Sequence, residues 1–434
     1  MNPVSLALYD SYAAGLYHPL KPNLYLFLMQ RMRSVSFILL AILFVCFSPV
    51  VVKSPAHAQV QAQQGPLAAD TPPDSLQSSN AVLSDPFLEN ASDEDEAYRN
   101  SLVPVPAIAY TPETSLMLGI VAFRQFKPAA AGPETRASQF FGTGIYTLNR
   151  QLILEAGTTF ILPGERWIHD VYGGYNFFPA QYFPPGFDAP EADERTVEYR
   201  RLFFRGDFVR NIGNGWFTGP AVNFERLQSV RVTETDEGEP QPLWSRGNPE
   251  NNTVAGLGWA LRKDTRNSIM TPLQGHYLEL TAVLHPAIAG SKGFGSLYLD
   301  ARRYWKPAAL PGTLVAAQFS GMFTAGDVPF QAMPPFGGES INRGYYLGRF
   351  NDHNVAQLQL ELRQPIWWRF GAVAFASTGE VWNRFTDFSL SNPKYAGGAG
   401  FRFDLNPRDS LNVRIDYGFG PHGSGLYITL GEAF

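Results

Sequence analysis

Among the charged residues of this chain, Arg343 stands in the most unusual setting. It lies in the stretch 336–350, FGGESINRGYYLGRF, behind Gly337 and Gly338 and directly before Gly344 and Tyr345. The stretch interrupts segments in which apolar and polar residues alternate. A guanidinium there has two uses. On an outer loop it is merely solvated. Folded back into a protein interior it needs acid partners, because an unpaired buried charge costs several kcal/mol. Glu361, Asp404 and Asp416 are the candidate partners, since each sits on the polar face of an alternating segment. Arg is suited to that work because its planar fork can engage a carboxylate through two hydrogen bonds. Gly344 would allow close backbone approach, and Gly337-Gly338 a sharp turn inward.

Other chemistry is thinly represented. No G-x-S-x-G elbow, H-E-x-x-H or phosphate loop occurs. His169, His276, His285, His353 and His422 are scattered, with no nucleophile at a suggestive spacing. Asp193-Glu194 and Asp236-Glu237 read as solvated loop acids rather than ion sites. The sequence therefore predicts no enzyme, no metal site and no cofactor. The single cysteine, Cys46, falls in an N-terminal segment expected to be removed, which leaves no thiol or disulfide chemistry.

The elements that must position Arg343 read as strands. Phe, Tyr and Trp make up 14% of the 434 residues, with 40 Gly and 34 Pro, a balance that favours strands and turns over helices. From Val103 onward the chain breaks into about sixteen segments of period two. Ala356, Leu358, Leu360 and Leu362 oppose Gln357, Gln359, Glu361 and Arg363. Leu411, Val413, Ile415, Tyr417 and Phe419 oppose Asn412, Arg414, Asp416 and Gly418. The first segment is placed at 104–110, the longest of the early ones at 196–209 and 215–227, and the last at 425–434.

One face is continuous hydrocarbon and the other carries charges at strand centres. That fits a hydrated lumen inside a lipid-facing wall better than a soluble sandwich core. No helix-length apolar run follows the N-terminal segment, so this body can cross a bilayer only as a closed barrel. Tyr304-Trp305, Trp367-Trp368 and Trp382 fall near segment ends, where interfacial aromatics belong. Breaks at 162–165, 365–369 and 406–409 are short, while those at 178–195, 228–250 and 326–353 are long. This alternation predicts short turns at one end and long loops at the other.

The predicted organisation has three parts. Residues 1–58 read as a cleavable export signal: Arg31 and Arg33, an apolar run, then Ala56-His57-Ala58. Translation from Met29 or Met32 would give it a more usual length. Residues 59–102 hold eight acids against Arg99 and read as a disordered acidic linker. Residues 103–434 form the barrel: all-β, transmembrane, antiparallel. They are close to neutral, which argues against a nucleic-acid partner.

Four stretches in order resemble the BamA–TamA type of outer-membrane assembly and translocation barrels, the bacterial surface antigen family. They are Ala107-Ile-Ala-Tyr-Thr-Pro-Glu-Thr114; Asp264-Thr-Arg266 with Pro272 and Gly275; Gly337-Gly338 with Arg343-Gly344-Tyr345, then Glu361-Leu-Arg363; and 425–434, with Leu426, Ile428, Leu430 and Phe434 as the C-terminal assembly signal. The resemblance implies an outer-membrane barrel whose long sixth outer loop folds into the lumen. It implies insertion or translocation of proteins, or lipid homeostasis, through a seam between first and last strands. The implied partners are outer-membrane lipids, the barrel assembly machinery during biogenesis, client proteins and a periplasmic partner.

Three departures stand out. Only the acidic linker is present where the family carries POTRA modules. Phe375-Ala-Ser377-Thr-Gly379 has serine where the family's acid partner of the loop arginine belongs. Glu432 takes a position usually aromatic or aliphatic. A passive pore or receptor is the second functional reading and a barrel hydrolase the third.

Overall fold

The computed structural model describes residues 103–434 apart from 129, 133, 191–193, 234–249, 270, 289–291, 392 and 407–410. The export signal and acidic linker read at 1–102 lie outside the described residues. No helix among those described is long and apolar enough to cross a membrane.

The chain forms a closed antiparallel barrel of sixteen strands. These are β1 (Val103–Thr111), β2 (Ser115–Phe126), β3 (Ser138–Thr147), β4 (Leu152–Ile161), β5 (Trp167–Phe177), β7 (Arg195–Gly213), β8 (Trp216–Thr233) and β9 (Asn252–Asp264), followed by β10 (Gly275–His285), β11 (Phe294–Trp305), β12 (Leu314–Gly326), β15 (Asn354–Trp367), β16 (Phe370–Trp382), β17 (Lys394–Asn406), β18 (Leu411–Gly420) and β19 (Gly423–Leu430). A short β6 (Ala180–Tyr182) adds to β7, and β13 (Pro335–Phe336) pairs with β14 (Phe350–Asn351) inside the long 327–353 connection. Each barrel strand pairs with the next in a meander, and β1 meets β19 to close the ring. That closure has a single registered pair, Tyr110 with Ile428, whereas β18 and β19 share eight.

Period two explains the wall. On β10, Leu284 is 75% exposed and its neighbour Val283 only 8%. Ile108, Leu257, Trp259, Phe401 and Tyr417 are likewise outward and exposed. In water such a surface would be an aggregation hazard; in lipid it is the solvated face. Trp367 and Trp368 stand exposed beside Phe370 at the end of the short turns, as expected of an interfacial girdle.

The structure corrects several sequence expectations. Tyr304 and Trp382 are buried rather than part of that girdle. Tyr304 alternates with the outward Trp305, and Trp382 is covered edge-on by Phe388. Strands β7 and β8 extend to 213 and 233, beyond the expected 209 and 227. At about 3.3 Å per residue they far exceed the 9–11 residues that a tilted strand needs to cross a bilayer. The last strand ends at Leu430 instead of 434. Gly431 adopts φ 85°, which turns the final residues under the barrel. There Ala433 and Phe434 join a buried cluster with Tyr304, Leu314 and Ala316.

Candidate functional site

The stretch 336–350 lies against the buried faces of β15 to β19. Arg343 is 0% exposed. Its guanidinium forms ion pairs with Glu361 of β15 and, at 2.5 Å, with Asp416 of β18. The ring of Phe375 on β16 lies 3.6 Å from the guanidinium carbon, so the cation also rests on a π face.

Each acid holds a second arginine. Arg363 binds Glu361 at 2.8 Å and Arg402 binds Asp416 at 2.6 Å. Both arginines reach Glu432, Arg363 at 3.6 Å and Arg402 at 2.9 Å. The result is a closed ring, Arg343–Glu361–Arg363–Glu432–Arg402–Asp416. Three positive and three negative charges alternate around it, and a fourth buried arginine, Arg414, stands beside it at 3.8 Å from Asp416. Desolvating one ion costs several kcal/mol, and alternation gives every member two partners to offset that cost.

Of the three candidate acids, the structure brings Glu361 and Asp416 to Arg343 and leaves Asp404 out. Asp416 is level with Gly400 across the β17–β18 ladder, while Asp404 faces Asn412. Four residues along a strand is about 13 Å, beyond reach of the guanidinium. Ser377 is buried and donates to the Ala396 carbonyl at 3.5 Å, so it takes no part in the ring. Glu432 resolves its own departure from the aromatic pattern. The turn at Gly431 takes it off the lipid-facing register and into the ring. Arg363 also donates to the Phe434 carbonyl at 3.2 Å. Of the other C-terminal residues, Leu426 is exposed and Ile428 and Leu430 are half-buried on β19.

The backbone around Arg343 depends on missing side chains. Gly344 has φ 114°, and a Cβ there would come 2.7 Å from the Phe419 nitrogen. A Cβ at Gly418 would collide with the Arg343 carbonyl, and one at Gly400 with the Asp416 carboxylate. Gly337 and Gly338 also take positive φ. Gly337 N–H and Asn342 Nδ2 donate to Gln357 Oε1 at 3.3 and 2.8 Å. Tyr345 is fully buried, edge-on to Phe336, and donates its hydroxyl to the Tyr395 carbonyl at 3.1 Å. Burial pushes that hydroxyl up to about 12.

Two further bonds were not legible in the sequence. Gly344 N–H donates to Tyr427 Oη on β19 at 2.9 Å. Leu347 N–H donates to Glu113 Oε1, in the turn between β1 and β2, at 2.7 Å. The same stretch therefore touches the last strand and the first hairpin. Glu113 falls within the opening motif, but nothing in its spacing points to residue 347. The loop before β7 closes over from the other side: Asn351 Nδ2 donates to the Phe183 carbonyl at 3.2 Å and Arg349 to the Ala189 carbonyl at 3.0 Å.

At the opposite end, Asp264 receives a two-pronged pair from Arg266 at 3.0 and 3.1 Å, and Arg136 at 2.8 Å. Positive φ at Gly275 and its close approach to Thr265 complete a tight turn. The D-x-R stretch thus pins one turn to its neighbours. The five histidines stay dispersed; His285 stacks on Phe294 and bonds Ser296, and His422 meets the rings of Tyr345 and Phe350. Among the described residues no group of His, Cys, Asp and Glu could hold a metal ion.

The sequence model of the Omp85 superfamily domain matches residues 154–434. Of solved structures, CdiB from Escherichia coli is similar with TM-score 0.51 at 12% identity, covering 77% of this chain and 64% of its own. BamA from Haemophilus ducreyi lacking POTRA domains 1–3 gives TM-score 0.49 at 11% identity, covering 75% and 69%. CdiB from Acinetobacter baumannii gives 0.48 at 11%, covering 75% and 58%. At these identities the likeness concerns the fold alone. No curated protein matches the sequence.

Proposed function

We propose that this chain, which belongs to the Omp85 superfamily, inserts or translocates proteins, or moves lipid, at the bacterial outer membrane by opening laterally between β1 and β19. Residues 336–350 act as the fastener that keeps this seam shut and the lumen filled. The observation that carries the reading is the pair of bonds on either side of the seam: Gly344 to Tyr427 of the last strand, and Leu347 to Glu113 beside the first. The seam itself has one registered pair, so much of its cohesion falls to the loop that spans it.

The physical logic is release rather than bond chemistry. A client strand or an acyl chain needs a gap in the wall, and unpaired strand edges are templates for a new strand. Opening at β1–β19 exposes the fewest such groups. The charge ring ties the loop to β15, β17 and β18 and, through Glu432, to the residues that follow β19, so the loop stays with the last strands as β1 parts from them. An export signal at 1–58 would deliver the chain to this site, and the assembly signal of Leu426, Ile428, Leu430 and Phe434 would recruit the assembly machinery. Clients, lipids and a periplasmic partner are the proposed associates.

A double variant, Tyr110→Cys with Ile428→Cys, tests the seam. These positions face each other across it. Oxidation should abolish function, read as altered outer-membrane protein or lipid profiles in cells depleted of the wild type, and reductant should restore it. Full function with the seam cross-linked would reject lateral opening. Large, stable wild-type currents in planar bilayers, unchanged by Arg343→Ala, would favour a passive pore instead.

A further inference from the structure

Strands β7 and β8 show both margins of the lipid-facing wall. On β7 the outward residues Phe208, Gly206, Phe204 and Leu202 are bounded by Arg210 toward the short turns and Arg200 toward the long loops, both exposed. On β8, Thr218, Pro220, Val222 and Phe224 lie between Trp216 and the exposed Arg226. Each pair of bounding residues is ten positions apart. A tilted strand needs about 9–11 residues to cross a bilayer. Arg200 and Arg226 therefore stand at headgroup level in the leaflet on the long-loop side.

These two arginines lack what the inward arginines of β7 have. Arg201 binds Glu225 at 2.9 Å and Arg205 binds Glu279 at 3.0 Å. Neither Arg200 nor Arg226 forms an ion pair with any described residue. Arg226 is held by a neutral group instead. Gln228 Oε1, with its amide turned toward the guanidinium, accepts from Nε and Nη2 at 3.0 Å each. That fixes the fork and leaves its charge unmatched. Glu198, two residues above Arg200, stands opposite Arg231 and is offset there. Arg200 faces Gln228 across the ladder, and Arg226 faces Leu202. The two arginines are thus diagonal neighbours, about 7–8 Å apart at the backbone and within reach of a shared ligand. Like charges this close repel unless an anion stands between them.

We infer that Arg200 and Arg226 bind the phosphate of an anionic lipid in the leaflet on the long-loop side. The phosphate sits between the two guanidiniums, whose planar forks match its oxygens. The acyl chains descend over Leu202, Phe204 and Phe224, the first two of them exposed. This apolar wall directly beneath the arginines selects a lipid over a soluble anion, because only a lipid covers both. The site lies far around the ring from the β1–β19 seam. It needs the barrel in a membrane but not lateral opening, so its failure would leave that reading untouched.

The test uses the full chain in detergent micelles, with retained lipids counted by native mass spectrometry. Dimyristoylphosphatidylglycerol is the probe and zwitterionic dimyristoylphosphatidylcholine the comparison. The first phosphatidylglycerol should bind more tightly than the first phosphatidylcholine. Arg200→Gln with Arg226→Gln should weaken that first event about tenfold. Arg210→Gln with Lys263→Gln removes the same charge at the short-turn margin and should leave it unchanged. Folding of each variant is checked by heat-modifiable migration on gels, and the comparison of the two lipids on the wild type needs no variant. Equal affinity for both lipids, an unchanged first event in folded Arg200→Gln with Arg226→Gln, or equal weakening by both double variants would overturn the proposal. So would complete displacement of the lipid by inorganic phosphate, which would mark the pair as a site for a free anion.

Discussion

Glu361 and Asp416, on strands β15 and β18, are bridged by one guanidinium, that of Arg343 in the long loop. Two strands separate them in the wall, and each is fully buried and held by a second arginine. The loop is thus fastened at two points of the wall by a single side chain, and both fastenings belong to one ring of alternating charges.

Replacing Arg343 therefore leaves both acids with a buried deficit of positive charge. Arg343→Ala should destabilise the docked loop by about 3–5 kcal/mol. Arg343→Lys keeps the charge but not the fork, and should rescue only part of that loss. Limited proteolysis within 336–350 measures it. A lysine variant as resistant as wild type would show that charge alone suffices.

Gly418 offers a test that leaves every charge in place. A methyl group in Gly418→Ala would meet the Arg343 carbonyl. Overpacking of this kind costs about 1–3 kcal/mol. The barrel should still fold, seen as unchanged heat-modifiable migration, while the loop becomes more open to protease. An unaltered cleavage pattern would show that the loop has room to shift.

Tyr427→Phe removes the acceptor for Gly344 N–H and leaves that donor buried. The expected cost is about 1–3 kcal/mol. Hydrogen exchange at Gly344 should quicken, with little change at strand amides far from β19. Uniform quickening throughout the barrel would point to a general loss of stability instead.

Glu113 brings a pH dependence. Burial raises its carboxyl above the usual 4.5, opposed by the N–H of Leu347 and reinforced by the nearby charge of Glu339. The docked state thus binds the proton more tightly than the undocked one. The resulting stabilisation is complete below pH 4.5 and is lost as pH rises through the raised value. Protease resistance of 336–350 should accordingly increase on mild acidification, and Glu113→Gln should flatten that response. A response of equal size in Glu113→Gln would place the titrating group elsewhere.

Much of this protein was already fixed by its residues. Alternation of period two set the strand positions, the lipid-facing side and the polar side, because a strand offers its side chains only two directions. It also marked Arg343 as needing acids and put Glu361 and Asp416 on the proper face. The same rule could not set heights. Asp404 shares the inner phase of its strand with Arg402, yet lies about 13 Å from the level of Asp416. Which residues are level around a barrel depends on the stagger between strands, and stagger is a property of closure rather than of any one segment.

The turn at Gly431 likewise took Glu432 and Phe434 out of the strand pattern that local sequence suggested. Only the closed structure joined Glu113 to Leu347 and Tyr427 to Gly344, 234 and 83 residues apart, because only closure brings the first hairpin and the last strand beside the same loop.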